Sequence, residues 1–434
     1  MRFASTRNKT HTVGFAHAVL NCMPDDGGLY VPCNTEDMRR WILYTDEKTS
    51  FVSIAGALTS AFIKDEFSPI VCEAIATKAF PFSPQLRKLD DTHFILELFH
   101  GPSGCHRDFG IAYLCACLET ILHMQNSRAT ILAVSRRKFG AVLAHELRDK
   151  KHVKAVVVYP KGEVHGMNER DYAWNGGNIY PVEVDGNEND CRAFVRTIFA
   201  DKEFVKENKL TVANTANIGR LLPQTFFYPF AFSRLKKDVR GDIYYALAPG
   251  NYSNVVAGLY SWCFGLPLSG FFVPVTDELS VNDTDDFVLF NTSYRHVNAD
   301  PTEPSNMERL KEVFSVNKLM MRNFMYTAQI DDNETCAAVK ELFDKYHILA
   351  DKHTGGAYAA AQKFEPLLSE DNGVVVITAQ DHPALSPDYI CNVTGVTPEI
   401  PENIDNILQP ATIYKPVITS PDELQAAIIN FNNY

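Results

Sequence analysis

From about residue 94 onward, short apolar runs alternate with amphipathic stretches, and this rhythm predicts strands separated by helices. Strands are expected at 94–98, 129–135, 153–159, 178–184, 210–213, 243–248, 270–275 and 373–378. The intervening stretches 108–125, 141–148, 191–199, 218–235 and 254–264 carry the apolar spacing of helices. Strands rich in Val and Ile with helical crossovers between them imply parallel pairing, so the fold class is α/β. In such folds ligands sit at the carboxyl ends of the strands, in the turns that open the next helix.

Residues 1–90 read differently. They are mainly helical, with 53–64 and 69–77 as the candidate helices, and the chain shows no internal repeat. The stretch 275–304 is polar and turn-rich and is expected to be a surface excursion.

A chain of 434 residues has room for two or three lobes with filled cores. An apolar share of 46% and a charged share of 22% are those of an ordinary globular protein. No apolar run reaches the length of a membrane span, and Met1–Arg7 lacks the apolar core of a signal peptide, so a cytoplasmic protein without membrane contact is expected. The ten cysteines are scattered, with no Cys-x-x-Cys pair and no Cys/His ladder of zinc spacing. Free thiols and no metal are the expectation. A formal charge of −12 argues against a general nucleic-acid binder and leaves room for local basic patches.

The run Glu97-Leu98-Phe99-His100-Gly101-Pro102-Ser103-Gly104-Cys105-His106-Arg107-Asp108-Phe109 carries the most chemistry. It resembles the cofactor-lysine motif of threonine synthases, Leu-Phe-His-Gly-Pro-Thr, three residues, then Lys-Asp-Phe. Ser5-Thr6-Arg7 and Asp26-Gly27-Gly28-Leu29-Tyr30-Val31-Pro32 are similar to that family's N-terminal signature. Pro160-Lys161-Gly162, the stretch from Asn214 to Gln224, Pro249-Gly250-Asn251-Tyr252-Ser253-Asn254, Asp351-Lys352-His353-Thr354, Thr378-Ala379 and His382-Pro383-Ala384 resemble further family motifs in family order. The resemblance implies a two-lobed type II pyridoxal-phosphate enzyme fold with parallel sheets and a mainly helical N-terminal segment. It places that segment at 1–90 and the two-lobed core at 91–434, with a smaller lobe at roughly 110–215.

In the family the motif lysine forms a Schiff base with pyridoxal phosphate, whereas this chain has Arg107 there. A guanidinium stays protonated and offers no free amine to an aldehyde. Two readings of Arg107 stand: it pairs with Asp108 or Glu97 and holds the cleft together, or its fork grips a phosphate or carboxylate. His106 is either a base or a hydrogen-bonded structural residue.

The resemblance assigns Gly250, Asn251, Tyr252, Ser253 and Asn254 to a cradle for the cofactor phosphate, with Ser253 where the family has a second glycine. Serine tolerates positive φ poorly, so a distorted cradle is expected. Thr354 takes the place of the threonine that faces the pyridine nitrogen, or else makes an ST-turn. Ser103, Ser135, Arg136, Arg137, Lys138, Asn214 and Asn217 form the substrate or anion set. Of these, Asn214 and Asn217 read first as helix caps. Where the family has Ser-Gly-Asp-Thr-Gly, this chain has Ser135-Arg136-Arg137-Lys138-Phe139-Gly140, either a solvated basic turn or a site for a more anionic ligand.

The family reaction converts O-phospho-L-homoserine and water to L-threonine and phosphate. Arg107 and the basic turn point to a degenerate homologue that binds a small anionic ligand or a partner. The alternative is an active lyase holding pyridoxal phosphate non-covalently, with His106 or Lys138 moving protons.

Overall fold

Valine and isoleucine runs with both faces apolar suit strands covered on both sides, and two parallel sheets result. The computed structural model describes residues 1–135, 139–275, 298–315 and 318–432. Its strands are β1 (Phe3–Ser5), β2 (Thr12–Val13), β3 (Tyr30–Pro32), β4 (Gln85–Lys88), β5 (His93–Glu97), β6 (Ala129–Val134), β7 (Val153–Pro160), β8 (Ile179–Val184), β9 (Leu210–Thr211), β10 (Ile243–Ala246), β11 (Gly270–Val275), β12 (Met325–Gln329) and β13 (Val374–Ala379). The larger sheet runs β12-β11-β10-β13-β5-β4, parallel except for the antiparallel edge β4–β5. The smaller runs β8-β7-β6-β9 and is parallel throughout. The α/β fold read from the alternation of strands and helices is the fold observed.

The strand order decides where chemistry can gather. β10, β13 and β5 are neighbours in the large sheet although they lie far apart in the chain. Their C-terminal turns, 247–252, 380–382 and 98–106, therefore open at one edge of that sheet. Behind the first turn, the helix Arg107–Met124 is wedged by Phe109, whose ring lies 5.4 Å from Phe51, 4.8 Å from Phe82 and 5.1 Å from Phe227. That aromatic cluster fixes the first turn of the helix and with it the direction of Arg107.

One expectation needs correction, and two readings are incomplete. Residues 1–90 contain the helices Phe51–Ile63 and Pro69–Ala79 but also build a separate antiparallel sheet, β2-β1-β3. These strands are two or three residues long, too short for a period of two to register. The helix expected over 218–235 is broken into Ile218–Leu221, a 3₁₀ stretch Leu222–Phe226 and Phe227–Leu235. Pro223 lacks the N–H the ladder needs and tightens the backbone there. β12 and the helices Asp332–Tyr346 and Lys352–Lys363 were not foreseen at all. Most of the polar stretch 275–304 lies outside the described residues. No helix among the described residues is long and apolar enough to cross a membrane.

Candidate functional site

The turn from β5 into the helix Arg107–Met124 is held by one buried carboxylate. Ser103 donates its hydroxyl to Asp108 Oδ1 at 2.5 Å and its N–H to Asp108 Oδ2 at 2.8 Å. Gly101 is required beneath it, because a Cβ there would stand 2.4 Å from Asp108 Oδ2. Burial pushes the Asp108 carboxyl up to about 6 against the pull of those hydrogen bonds. The turn is also zipped to the end of β13: His106 N–H donates to Gln380 O and His382 N–H to Gly104 O, both at 2.8 Å. Ser103 thus serves the loop, and its hydroxyl is not directed at a ligand.

Arg107 is the first residue of the helix and reaches solvent. Among the described residues it makes no hydrogen bond and no ion pair, although Cys105, Asp381 and Asp108 lie close enough to raise its pKa. The expectation that it pairs with Asp108 or Glu97 is overturned. Asp108 is taken by Ser103, and Glu97 by Arg87 Nη1 at 3.0 Å and His100 Nε2 at 2.8 Å. Those partners sit on the same turn or on the adjoining strand β4, and close neighbours fill an acceptor first.

A second guanidinium stands beside the first. Arg220 is buried, with Nε and Nη1 lacking any hydrogen-bond partner among the described residues. It presses on Gly110, where a Cβ would lie 1.8 Å from Nη1, one helical turn from Arg107. Burial and then the charge of Arg107 push Arg220 down to about 10. Arg220 lies within the motif stretch 214–224 but is not among the residues the resemblance assigns to a ligand. Its signal was the Gly110 opposite, which has room for a guanidinium only because it lacks a side chain.

His106 sits immediately before the helix, and its Nδ1 lies 3.7 Å from Cys105 Sγ and 3.9 Å from Asp381 Oδ1. Burial pushes its pKa down, against the opposing pull of Asp381. Cys105 and Asp381 were not foreseen as site residues.

The turn before the helix Ser253–Cys263 has positive φ at Gly250 (+47°) and Tyr252 (64°). Ser253 is already helical, so the distortion expected from serine is not found; Tyr252 carries the left-handed conformation. Asn251 Nδ2 donates to Thr215 Oγ1 at 2.8 Å, which ties this turn to the residues after β9. Asn254 Oδ1 is buried without a partner among the described residues. Thr354 donates its hydroxyl to Asp351 Oδ2 at 2.7 Å, where Asp351 caps the helix Lys352–Lys363. Asn217 caps the helix Ile218–Leu221 and donates to Val19 O at 2.8 Å, while Asn214 donates to Pro301 O at 2.6 Å. Ser135 is buried and accepts from Gly140 N–H at 2.9 Å. Arg136, Arg137 and Lys138 lie outside the described residues.

Between the ends of β5 and β13 lies a small cleft lined by Glu97, Phe99, Ala350, Asp351, Thr354 and Asp381. The site is therefore a strand-end cleft of a parallel sheet; Arg107, whose charge is felt by the lining residue Asp381, opens the neighbouring helix, and Arg220 packs against that helix at Gly110. Comparison with known proteins agrees with that class. Residues 2–80 match the family model described as threonine synthase N terminus. Threonine synthase of Escherichia coli (strain K12) is 28% identical over 413 residues, covering 93% of this chain and 94% of its own length. That of Schizosaccharomyces pombe is 27% identical over 371 residues, covering 79% of this chain and 71% of its own. Among solved structures, PLP-bound threonine synthase from Brucella melitensis superposes with a TM-score of 0.81 at 22% identity, covering 100% of both chains. The threonine synthase structure from Escherichia coli gives 0.79 at 26% identity, also over 100% of both. The chain is similar to threonine synthases over most of its length, and its fold is the type II fold of those enzymes.

Proposed function

We propose that this chain is a threonine-synthase homologue that has lost Schiff-base chemistry and binds a small anionic ligand in the cleft beside Arg107. The observation that carries the reading is Arg220. A buried guanidinium whose Nε and Nη1 have no partner among the described residues, held near the like charge of Arg107, is costly unless an anion joins it. The N-terminus of an 18-residue helix adds its dipole to the same place. Arg107 would supply a planar fork from the solvent side and Arg220 a fixed charge from below.

Pyridoxal phosphate is the cofactor that family resemblance brings to this cleft, and the donor set departs from it at the decisive atom. The group needs a neutral amine where this chain has Arg107, so the residues present do not fit a covalently held cofactor. The Thr354 hydroxyl is donated to Asp351 and so is not free to donate to a ring nitrogen. The two-lobed division, with residues 1–90 as an N-terminal segment and a smaller lobe near 110–215, belongs to this same reading; the four-stranded sheet β8-β7-β6-β9 supports it.

The test is thermal unfolding of the whole protein with inorganic phosphate and with O-phospho-L-homoserine. Either anion should raise the melting temperature by mass action, and Arg107→Gln and Arg220→Met should each remove the shift. A second reading, an active lyase with non-covalent pyridoxal phosphate, is favoured by family likeness over 93% of the chain and by the retained turn at Gly250–Asn251. Threonine released from O-phospho-L-homoserine by the unmodified protein would establish it over the first.

A further inference from the structure

We propose that Cys105, His106 and Asp381 form a binding site for a divalent transition ion of the zinc class. Cys105 Sγ, His106 Nδ1 and an Asp381 carboxylate oxygen all lie within 4.8 Å of one another. Zinc bonds of about 2.3 Å to sulfur and 2.0–2.2 Å to nitrogen or oxygen, set tetrahedrally, put ligand atoms about 3.3–3.6 Å apart. The separations here, 3.7 Å for Sγ to Nδ1 and 3.9 Å for Nδ1 to Oδ1, are within about half an ångström of that.

A proton relay of the Cys-His-Asp kind does not explain the arrangement. A relay uses both ring nitrogens, one toward the thiol and the other toward the carboxylate. Here the thiol and the carboxylate both face Nδ1, and the three donor atoms lie within 4.8 Å of one another. The second observation is the state of the carboxylate. Asp381 Oδ1 is buried and has no hydrogen-bond partner among the described residues, and 3.9 Å is too long for one to His106. A buried carboxylate oxygen left in this condition calls for a cation at that spot.

The ligands are placed by backbone contacts. Cys105 and Asp381 form an isolated antiparallel bridge, flanked by the hydrogen bonds from His106 N–H to Gln380 and from His382 N–H to Gly104. Thiolate, imidazole and carboxylate together suit zinc or cobalt better than magnesium or calcium, which prefer oxygen alone. Three protein ligands leave one position open, and it falls beside the cleft because Asp381 lines that cleft. This proposal does not depend on which anion the two arginines bind.

Cobalt(II) titration of the chelator-stripped full-length protein, without oxygen, is the test. The expected result is intense visible bands of a tetrahedral ion together with a thiolate charge-transfer band, both removed by added zinc. Cys105→Ser should abolish the charge-transfer band, and Asp381→Asn should weaken cobalt binding tenfold or more, while Cys33→Ser leaves both signals intact. Circular dichroism confirms that each variant is folded; should Cys105→Ser fail to fold, His106→Gln and Asp381→Asn decide the question by the same affinity loss. Weak octahedral-type absorption only, or an unchanged spectrum in Cys105→Ser or in the other two ligand variants, would overturn the site.

Discussion

Ser103 and Asp108 close the turn at the head of the central helix, with the serine giving both its hydroxyl and its N–H to one carboxylate. Removing the hydroxyl by Ser103→Ala leaves a buried carboxylate oxygen without its donor, which costs about 1–3 kcal/mol. The urea midpoint should fall with an unchanged slope. A midpoint equal to that of the parent protein would show that another donor replaces the serine.

The same carboxylate makes stability depend on pH. Its folded pKa of about 6 exceeds the 3.8 of an unperturbed aspartate, so the folded state binds the proton more tightly than the unfolded one. The contribution from Asp108 is therefore full below about pH 4 and lost as pH rises to about 6. Asp108→Asn keeps the shape and removes the titration. The difference in melting temperature, parent minus variant, should decline across that window and be flat above it; a difference that rises with pH would contradict the assignment.

Arg220 should be dispensable for folding. Its Nε and Nη1 have no partner among the described residues, so Arg220→Met trades a buried, repelled charge for apolar packing. Replacements of this kind are typically neutral or stabilising by about 1–4 kcal/mol. The melting temperature in anion-free buffer should hold or rise while the response to phosphate disappears. Strong destabilisation without phosphate would mean that Arg220 holds the fold.

Arg309 is expected to behave in the opposite way. It is wholly buried and donates to Tyr30 O at 2.9 Å, Thr215 O, Asn306 Oδ1 at 2.7 Å and Ala216 O at 3.0 Å. These bonds join β3 of the N-terminal segment to the residues after β9. Arg309→Met orphans several buried acceptors and should cost at least about 3 kcal/mol, taking about 1–3 kcal/mol for each. Faster proteolytic release of the first 90 residues is the accompanying sign, and wild-type cleavage rates would refute the link.

Restoring the amine tests how much of the family's chemistry remains. In Arg107→Lys, incubation with pyridoxal phosphate and borohydride should leave a pyridoxyl group on residue 107, whereas the unmodified protein should leave none anywhere in the cleft. Mass spectrometry reads both. A pyridoxyl group on a native lysine of the unmodified protein would show that the covalent link has moved instead of being lost.

Much of the architecture was legible in the chain. Apolar strands of four or more residues show their burial in composition alone, so β5, β6, β7, β8, β10, β11 and β13 were foreseen within a residue or two. The long helix over 218–235 was misjudged because apolar content says nothing about an interrupted ladder, although Pro223 stood in plain view. Edge elements such as β4 and β12 escaped because most of their residues are exposed or only half-buried and the periodicity blurs.

The sequence by itself determined the likeness to threonine synthases, the α/β class and the presence of a guanidinium at residue 107, since each is written in local order or in the chemistry of a single side chain. It could not determine which groups meet. Asp381 reaches Cys105 and His106 only because β13 pairs with β5, and Arg220 packs against the helix that Arg107 opens only because Gly110 leaves space there. Likewise, Glu97 and Asp108, the acids nearest to Arg107 in sequence, are satisfied by Arg87, His100 and Ser103 instead. Strand pairing and helix packing are sums over many distant contacts, and they alone decide which charges share the cleft.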